Sequence, residues 1–163
     1  AARPLMPLRP HVTTLAVRSI PSRYTQESLL QVWPPDGSFD LLYCPICREE
    51  KKGLGYVVIH FTSSAAAVEF QAKWHGKYLR HHGKARALDV VASAAQGYKR
   101  SLKQALWRLG APVEGDWHLP AVYRGVERLD ALEEADRLGL LVPRQQEGSP
   151  GATTTSPQHI EAQ

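Results

Sequence analysis

The order of strand-like and helix-like segments in the first two thirds of the chain constrains its fold more than any other feature. Residues 13–20, 39–46, 53–61 and 86–93 have strand patterning. Helical spacing follows a cap at Thr25 and another at residues 62–64, giving the order strand, helix, strand, strand, helix, strand. This order predicts an α+β, ferredoxin-like split β-α-β fold, with a four-stranded antiparallel sheet and two helices on one face.

The second face of such a sheet is left uncovered by the two helices. It faces solvent, serves as a ligand platform, or seats another element of the chain. Tyr98, Leu102 and Leu106 recur at helical spacing and predict a third amphipathic helix over residues 98–109, which needs a surface to pack on. Apolar residues at every third position predict a further helical segment over residues 126–138.

The pattern divides the chain into four parts. Residues 1–11 carry Pro at every third position and are expected to form an extended lead-in. Residues 12–97 form the predicted domain, and residues 98–142 a helical extension. Residues 143–163, rich in Gln, Ser, Thr, Pro and Gly, are expected to be disordered.

Charge is distributed unevenly along the chain. Residues 1–109 contain 16 Lys and Arg against 7 Asp and Glu, whereas residues 110–163 contain 4 against 9. A basic domain suits a polyanionic partner, although the same charge also suits a merely soluble surface. No apolar run of about 18 residues or secretory signal is present, and two cysteines fit a reducing compartment. We expect an intracellular protein, nuclear or cytoplasmic, without a membrane partner.

Several segments of the sequence resemble a known family. They are TTLAVRSIPSRYTQESLL, FDLLYCPI, GYVVIHFTSSAAAVEF and WHGK with AAQG, in that order, over about residues 12–97. They resemble the divergent carboxy-terminal RNA recognition motif (RRM) of the Mei-two-like family of meiotic RNA-binding regulators. IPxxYT and YxPI are the most specific pieces. The resemblance implies single-stranded RNA binding in post-transcriptional regulation, without catalysis.

The resemblance also indicates which side chains would contact RNA. Aligning Gly55 and Phe61 with the second and eighth positions of the RRM octamer turns Tyr56, Val58 and His60 toward the open face. Where stacking rings usually stand, this chain has Ala16, Tyr56 and Val58, and two absent rings remove roughly 2–6 kcal/mol of binding. The predicted RNA-binding residues are Tyr56, Arg18, His60, Val58, Lys52, Arg86, Lys84 and Arg80.

A protein-interaction module of the same fold is the main alternative. In it, the 98–109 helix or a partner peptide covers the sheet, and Leu54, Val58 and Ala16 become contact surface. A protein partner could also dock on the carboxy-terminal helices.

An enzyme or metal protein is a third reading. Cys44 and Cys47 form half of a zinc-site pattern, but residues three apart on a strand face opposite ways and no second Cys pair exists. No nucleophile, phosphate-loop or metalloprotease motif is present. We therefore predict no enzymatic activity, no cofactor and no metal.

Overall fold

The elements of the chain follow the predicted order and continue beyond it. The computed structural model describes residues 2–47, 50, 52–79, 86–109 and 119–140. In chain order the elements are β1 (Thr14–Arg18), α1 (Gln26–Val32), β2 (Phe39–Tyr43), β3 (Ile46–Cys47), β4 (Lys52–Gly53), β5 (Tyr56–Phe61), α2 (Ser64–Trp74), β6 (Asp89–Ala92), α3 (Tyr98–Leu109), β7 (Ala121–Arg124), β8 (Glu127–Leu129) and α4 (Ala131–Arg137).

The main sheet is antiparallel and has the order β6-β1-β5-β2-β7-β8, while β3 and β4 form a separate short hairpin. Its first four strands are those of the predicted split β-α-β fold, which is confirmed. The sheet differs in size, because the described residues give it six strands rather than four. The additional pair, β7 and β8, extends it beside β2.

The first core lies between the sheet and helices α1 and α2. Alternate residues of β1 and β5 point into it, so that Leu15, Val17, Val57 and Ile59 are fully buried. An aromatic cluster closes the helical side, with the Phe70 ring 5.3 Å from Trp33, 5.1 Å from Phe61 and 6.3 Å from Trp74. The alternation that turns Tyr56, Val58 and His60 toward the open face requires Val57 and Ile59 to point toward the helices, and this orientation is confirmed.

A second core lies on the opposite face of the sheet. Helix α3 begins and ends where its sequence period predicts, and packs against β2. Its buried residues join those of α4 and of the sheet in one apolar cluster: Leu41, Tyr43, Leu102, Ala105, Leu106, Leu119, Val122, Ala131 and Ala135. The face left bare by α1 and α2 is thus partly covered by the chain itself.

The segment predicted as one helix over residues 126–138 forms β8 and then α4. Gly125, at φ +64°, opens the tight turn between β7 and β8, and Val126 lies exposed in that turn. Asp130 ends the hairpin and starts α4, because its side chain accepts hydrogen bonds from the Leu132 and Glu133 amides. A three-residue apolar period could not distinguish a short strand followed by a helix from one longer helix.

The lead-in has neither helix nor strand over residues 2–9, but it is held against the domain. Gln71 donates its side-chain amide to the Met6 carbonyl at 2.9 Å. The Val90 amide donates to His75 Nδ1, so the proton of that ring is on Nε2, which donates to the Arg3 carbonyl at 2.7 Å. These bonds bring Arg3 to the β6 edge of the sheet.

Gln26 connects the two cores through its buried side-chain amide. Its Oε1 accepts from the Cys44 amide at 3.0 Å, and its Nε2 donates to the Leu119 carbonyl at 2.7 Å. One side chain of α1 thereby links the end of β2 to the approach of β7. The outer strands depend on it because the two bonds satisfy buried backbone groups.

Replacing Gln26 by Ala should lower the free energy of unfolding by about 1–3 kcal/mol for each backbone group left unpaired. Chemical denaturation measures the change. Gln31→Ala is the matched control, since Gln31 is exposed on the same helix. Equal midpoints for the two variants would contradict the role assigned to Gln26.

Glu134 fastens α4 to α3. It accepts a hydrogen bond from the Tyr98 hydroxyl at 2.6 Å and from Arg137 Nε at 2.7 Å. Arg137 is the main reason that the pKa of Glu134 falls to about 2, while burial raises the pKa of Tyr98. Because folding lowers the Glu134 pKa, its stabilisation is present above about pH 4.5 and is lost as pH falls toward about 2.

Glu134→Gln should destabilise the fold at neutral pH by on the order of 1–2 kcal/mol. The loss is no larger because Arg137 is exposed to water, which weakens its ion pair with Glu134. Denaturant unfolding at a series of pH values checks this. The difference from the unsubstituted protein should shrink between about pH 4.5 and about pH 2. Glu133→Gln, an exposed carboxylate on the same helix, is the control. A pH-independent difference would refute the ionic contribution.

Candidate nucleic-acid interface

A cleft of about 320 Å³ remains between α3 and the part of the sheet that α3 does not cover. Residues of β1 and β5 line one wall, and polar residues of α3 line the other. The lining includes Ala16, Arg18, Tyr56, Val58, Ser101, Gln104 and Arg108. We call this space the α3 cleft.

Tyr56 supplies the aromatic surface of the cleft. Its ring is half-buried, and the Arg108 guanidinium carbon lies 5.8 Å from the ring centre, within cation–π range. Arg108 also donates a hydrogen bond to the Tyr56 hydroxyl. The guanidinium belongs to an exposed side chain in the last turn of α3, where an incoming anion can reach it.

Arg18 lies at the centre of the β6-β1-β5 surface. Its Cα pairs with Tyr56 on one neighbouring strand and with Asp89 on the other. Arg18 Nη1 is 3.7 Å from Asp89 Oδ2, and just over half of its side chain remains exposed. An exposed guanidinium beside an aromatic ring suits a phosphate or a base edge.

Val58 and Ala16 are directly opposite each other on β5 and β1, and both line the cleft. The three predicted stacking positions, Ala16, Tyr56 and Val58, therefore line the same cleft. They carry one aromatic ring and two aliphatic side chains. This arrangement offers a stacking surface for one base, with apolar contact beside it.

His60 faces the same side of the sheet but is largely covered. Its Nδ1 lies 2.6 Å from Asp40 Oδ1, and its ring centre is 6.1 Å from that of Tyr98 at the start of α3. The residue is only 8% exposed. The structure thus pairs His60 with protein groups, and a role for it in RNA binding stays a prediction.

The predicted phosphate-binding residues do not form one cluster. Lys52 is exposed on the β3–β4 hairpin, and Arg86 is exposed before β6, near Arg18. Arg80 and Lys84 lie outside the described residues. Arg108, which lines the cleft, was not in the predicted set, and neither was Arg3, which lies beside Asp89 at the β6 edge. The basic positions of the third helix were visible in the sequence, but their orientation toward the sheet was not.

Cys44 and Cys47 behave as structural residues. Both thiols are free, and burial raises the pKa of Cys44 to about 11, which disfavours the thiolate that metal binding needs. Within the described ranges, no group of three or more His, Cys, Asp or Glu side chains is arranged to hold a metal ion. No helix of that part is long and apolar enough to cross a membrane.

Gln96 determines where α3 begins, and its role was not foreseen. Its Oε1 accepts from the Thr13 and Thr14 amides at 3.0 Å each, and its Nε2 donates to the Thr14 and Ser93 carbonyls at 2.8 Å each. Gly97 follows at φ +97°, a conformation that favours glycine, and donates to the Thr14 hydroxyl. The AAQG piece therefore turns the chain onto the open face.

The antiparallel order β6-β1-β5-β2, with α1 and α2 on one face, is the arrangement of an RNA recognition motif, which β7 and β8 extend in this chain. The family described as RNA recognition motif 2 matches residues 12–106, more than half of the chain. The chain belongs to this family, which confirms the predicted resemblance and places it among RNA-binding rather than catalytic proteins.

Mei-two-like proteins are among its curated relatives. The protein terminal ear1 homolog of Oryza sativa subsp. indica is 27% identical over 130 residues, covering 68% of this chain and 19% of the relative. MEI2-like 5 of Oryza sativa subsp. japonica is 29% identical over 87 residues, covering 52% and 11%. The chain thus spans about a fifth or less of the length of these two relatives.

Solved RRM structures are also similar. The Rna15 RRM with bound RNA (GU) is 19% identical, with a TM-score of 0.43, covering 52% of this chain and 86% of that one. The second RRM of yeast poly(U)-binding protein Pub1 is 17% identical with a TM-score of 0.43, covering 53% and 99%.

Gln96→Ala should loosen the start of β1 and the attachment of α3, because four hydrogen bonds are lost together. Amide hydrogen exchange should accelerate at Thr13 and Thr14 more than at the centre of β5. Gln31→Ala, on an exposed face of α1, should leave these rates unchanged. Unaltered exchange at Thr13 and Thr14 in the Gln96 variant would contradict the role assigned to Gln96.

Proposed function

We propose that the protein binds single-stranded RNA in the α3 cleft, as a step in post-transcriptional regulation inside the cell. The observation that carries the proposal is Tyr56, a half-buried ring with the Arg108 guanidinium 5.8 Å from its centre and with Arg18 paired to it on β1 in the lining of the same cleft. One base stacks on the ring, and the arginines take the adjoining phosphates. Membership in an RNA-binding family supports this assignment.

The contact between Arg108 and Tyr56 must open before a base can stack on the ring. In the free protein the guanidinium lies over the ring and bonds to its hydroxyl, where a base would stack. RNA provides both a base for the ring and a phosphate for the guanidinium. Arg108 therefore exchanges the Tyr56 ring for an RNA phosphate, so its positive charge has a partner both before and after RNA binds.

The single ring sets an upper limit on sequence-independent stacking. One base–aromatic contact contributes about 1–3 kcal/mol, which alone gives very weak binding. Electrostatic contacts must supply much of the remainder, so the affinity should depend strongly on salt. If Arg18 and Arg108 in the cleft, and Lys52 and Arg86 outside it, each neutralise one phosphate of a longer strand, log K should fall with log salt at a slope of about −3.

A fluorescence-anisotropy titration with labelled single-stranded oligoribonucleotides tests the proposal. Binding should weaken about 50-fold between about 50 mM and about 200 mM salt. Tyr56→Ala should weaken it by about 5-fold to about 150-fold, while Tyr56→Phe keeps the ring and most of the affinity. Arg18→Gln should reduce the magnitude of the salt slope by about 0.7.

Two exposed residues at the edge of the sheet opposite β6 are the matched controls. Arg124→Gln removes one positive charge from β7, and Val126→Ala removes apolar surface from the β7–β8 turn. Neither should change the affinity beyond a small electrostatic effect. Absence of binding at low salt, or indifference to Tyr56→Ala combined with Arg18→Ala, would refute RNA binding in the cleft.

A protein-interaction module is the second candidate function. It is favoured by the position of α3, which already covers the β2 part of the face and leaves Trp107 exposed on its own outer surface. In that case the cleft and the outer surface of α3 receive a protein segment. The oligonucleotide titration separates the two, because this module has no salt-dependent affinity for RNA.

A further inference from the structure

A second cavity, of about 430 Å³, lies at the β6 edge of the sheet. Residues from four segments line it: the lead-in, the end of β1, the described ends of the connection between α2 and β6, and the start of β6. We call it the edge pocket, and its main side chains are Arg3, Arg18, Tyr78, Arg86 and Asp89. None of its groups except Arg18 belongs to the α3 cleft.

The backbone holds Tyr78 in an outward position. The Gly76 amide donates to the Leu88 carbonyl, and the Leu88 amide donates to the Lys77 carbonyl, both at 2.8 Å. Leu79 and Leu88 are buried in the first core, so the segment is anchored on either side of the ring. Tyr78 itself is 58% exposed. An exposed ring on an anchored backbone is a stacking surface prepared in advance.

Asp89 orients two of the guanidinium groups. Its Oδ2 lies 3.7 Å from Arg3 Nη1 and 3.7 Å from Arg18 Nη1. Arg86, also exposed, is a third guanidinium in the same lining. The lining therefore holds three guanidinium groups and one carboxylate, and the remaining positive charge attracts an anion. Arginine groups preset in this way suit the paired oxygens of a phosphate.

Arg18 makes the edge pocket continuous with the α3 cleft. It lines both cavities, and its Cα is paired with Tyr56 on β5 and with Asp89 on β6. Neighbouring strands are about 4.8 Å apart, so the two cavities are separated by roughly the width of one strand. A ligand that occupies both must be an extended chain carrying planar groups and anionic groups in alternation.

We propose that the edge pocket is a second nucleotide-binding site for the same RNA strand, with Tyr78 stacking on a base and Arg3, Arg18 and Arg86 holding the adjoining phosphates. The proposal rests on the proposed function of the α3 cleft. Tyr78 would then be a second stacking ring, outside the sheet. The sheet itself carries one ring, Tyr56, at the three expected stacking positions.

The test compares two oligoribonucleotides, a dinucleotide and one of about twelve nucleotides, the longer within the range of site sizes for single-strand binders. Tyr56 on β5 and the β6 edge are two strand spacings apart, about 10 Å, so a dinucleotide stacked on Tyr56 does not reach Tyr78, whereas the longer one does. Tyr78→Ala should weaken the longer oligonucleotide by about 5-fold to about 150-fold and leave the shorter one unchanged. Tyr78→Phe should restore affinity, and Arg86→Gln should reduce the magnitude of the salt slope by about 0.7 for the longer one only.

The variants separate failure of the edge pocket from failure of the cleft. If Tyr56→Ala weakens both oligonucleotides and Tyr78→Ala weakens neither, the edge pocket is overturned while the proposed function stands. If Tyr78→Ala matters and Tyr56→Ala does not, the edge pocket is supported and the cleft is overturned. If the unsubstituted protein binds neither oligonucleotide, both are overturned. Arg124→Gln is again the control for loss of a charge.

Photo-crosslinking gives an independent readout. The longer oligonucleotide, carrying photoreactive 5-iodouridine, should form adducts that mass spectrometry locates at Tyr78 as well as Tyr56. Adducts confined to Tyr56 would overturn the second site. Because Tyr78 is exposed, its substitution should leave the unfolding midpoint unchanged, so a loss of affinity reports binding rather than folding.

Discussion

Leu102 and Leu106 of α3 pack against the sheet face that α1 and α2 leave uncovered, beside Leu41 and Val122. An amphipathic helix has to bury its apolar stripe, and a half-covered sheet has to cover or solvate its second face. Their contact meets both requirements at once. The β7–β8 pair widens the sheet beneath α3 and α4, and Glu134 joins the two helices by a hydrogen bond to Tyr98. The α3 cleft is the part of the face that this packing leaves open.

The same packing changes what the open face can bind. It places Tyr98 beside His60, and brings Arg108 over the remaining ring. The cleft therefore combines a stacking surface for one base with an exposed positive charge. Electrostatic contacts gain importance as stacking surfaces are lost, because they contribute at many positions and need no particular base. The arginines of the edge pocket extend such contacts beyond the strands themselves.

Much of the fold was predictable because its signals are local. Helix α3 occupies the predicted residues, and Val57, Ile59 and Phe61 are buried as the alternation in β5 requires. The β7–β8 hairpin was missed because its strands are short and a three-residue apolar period runs across Val126 into α4. Gly125 was the available signal for the turn. The outward orientation of Tyr56 and Val58 was predictable from strand alternation, whereas the pairing of His60 with Asp40 joins two strands and was not.

The sequence by itself determined the order of the elements, the inner face of each strand and the presence of one ring among the expected stacking positions, since these follow from neighbouring residues. Only the tertiary structure decided what surrounds that ring. Arg108 and Tyr56 are 52 residues apart, and they meet because Gln96 and Gly97 direct α3 across the sheet. Arg3 and Arg18 likewise meet at Asp89 because the lead-in is held along α2. Contacts over such separations depend on the path of the whole chain, which no local pattern specifies.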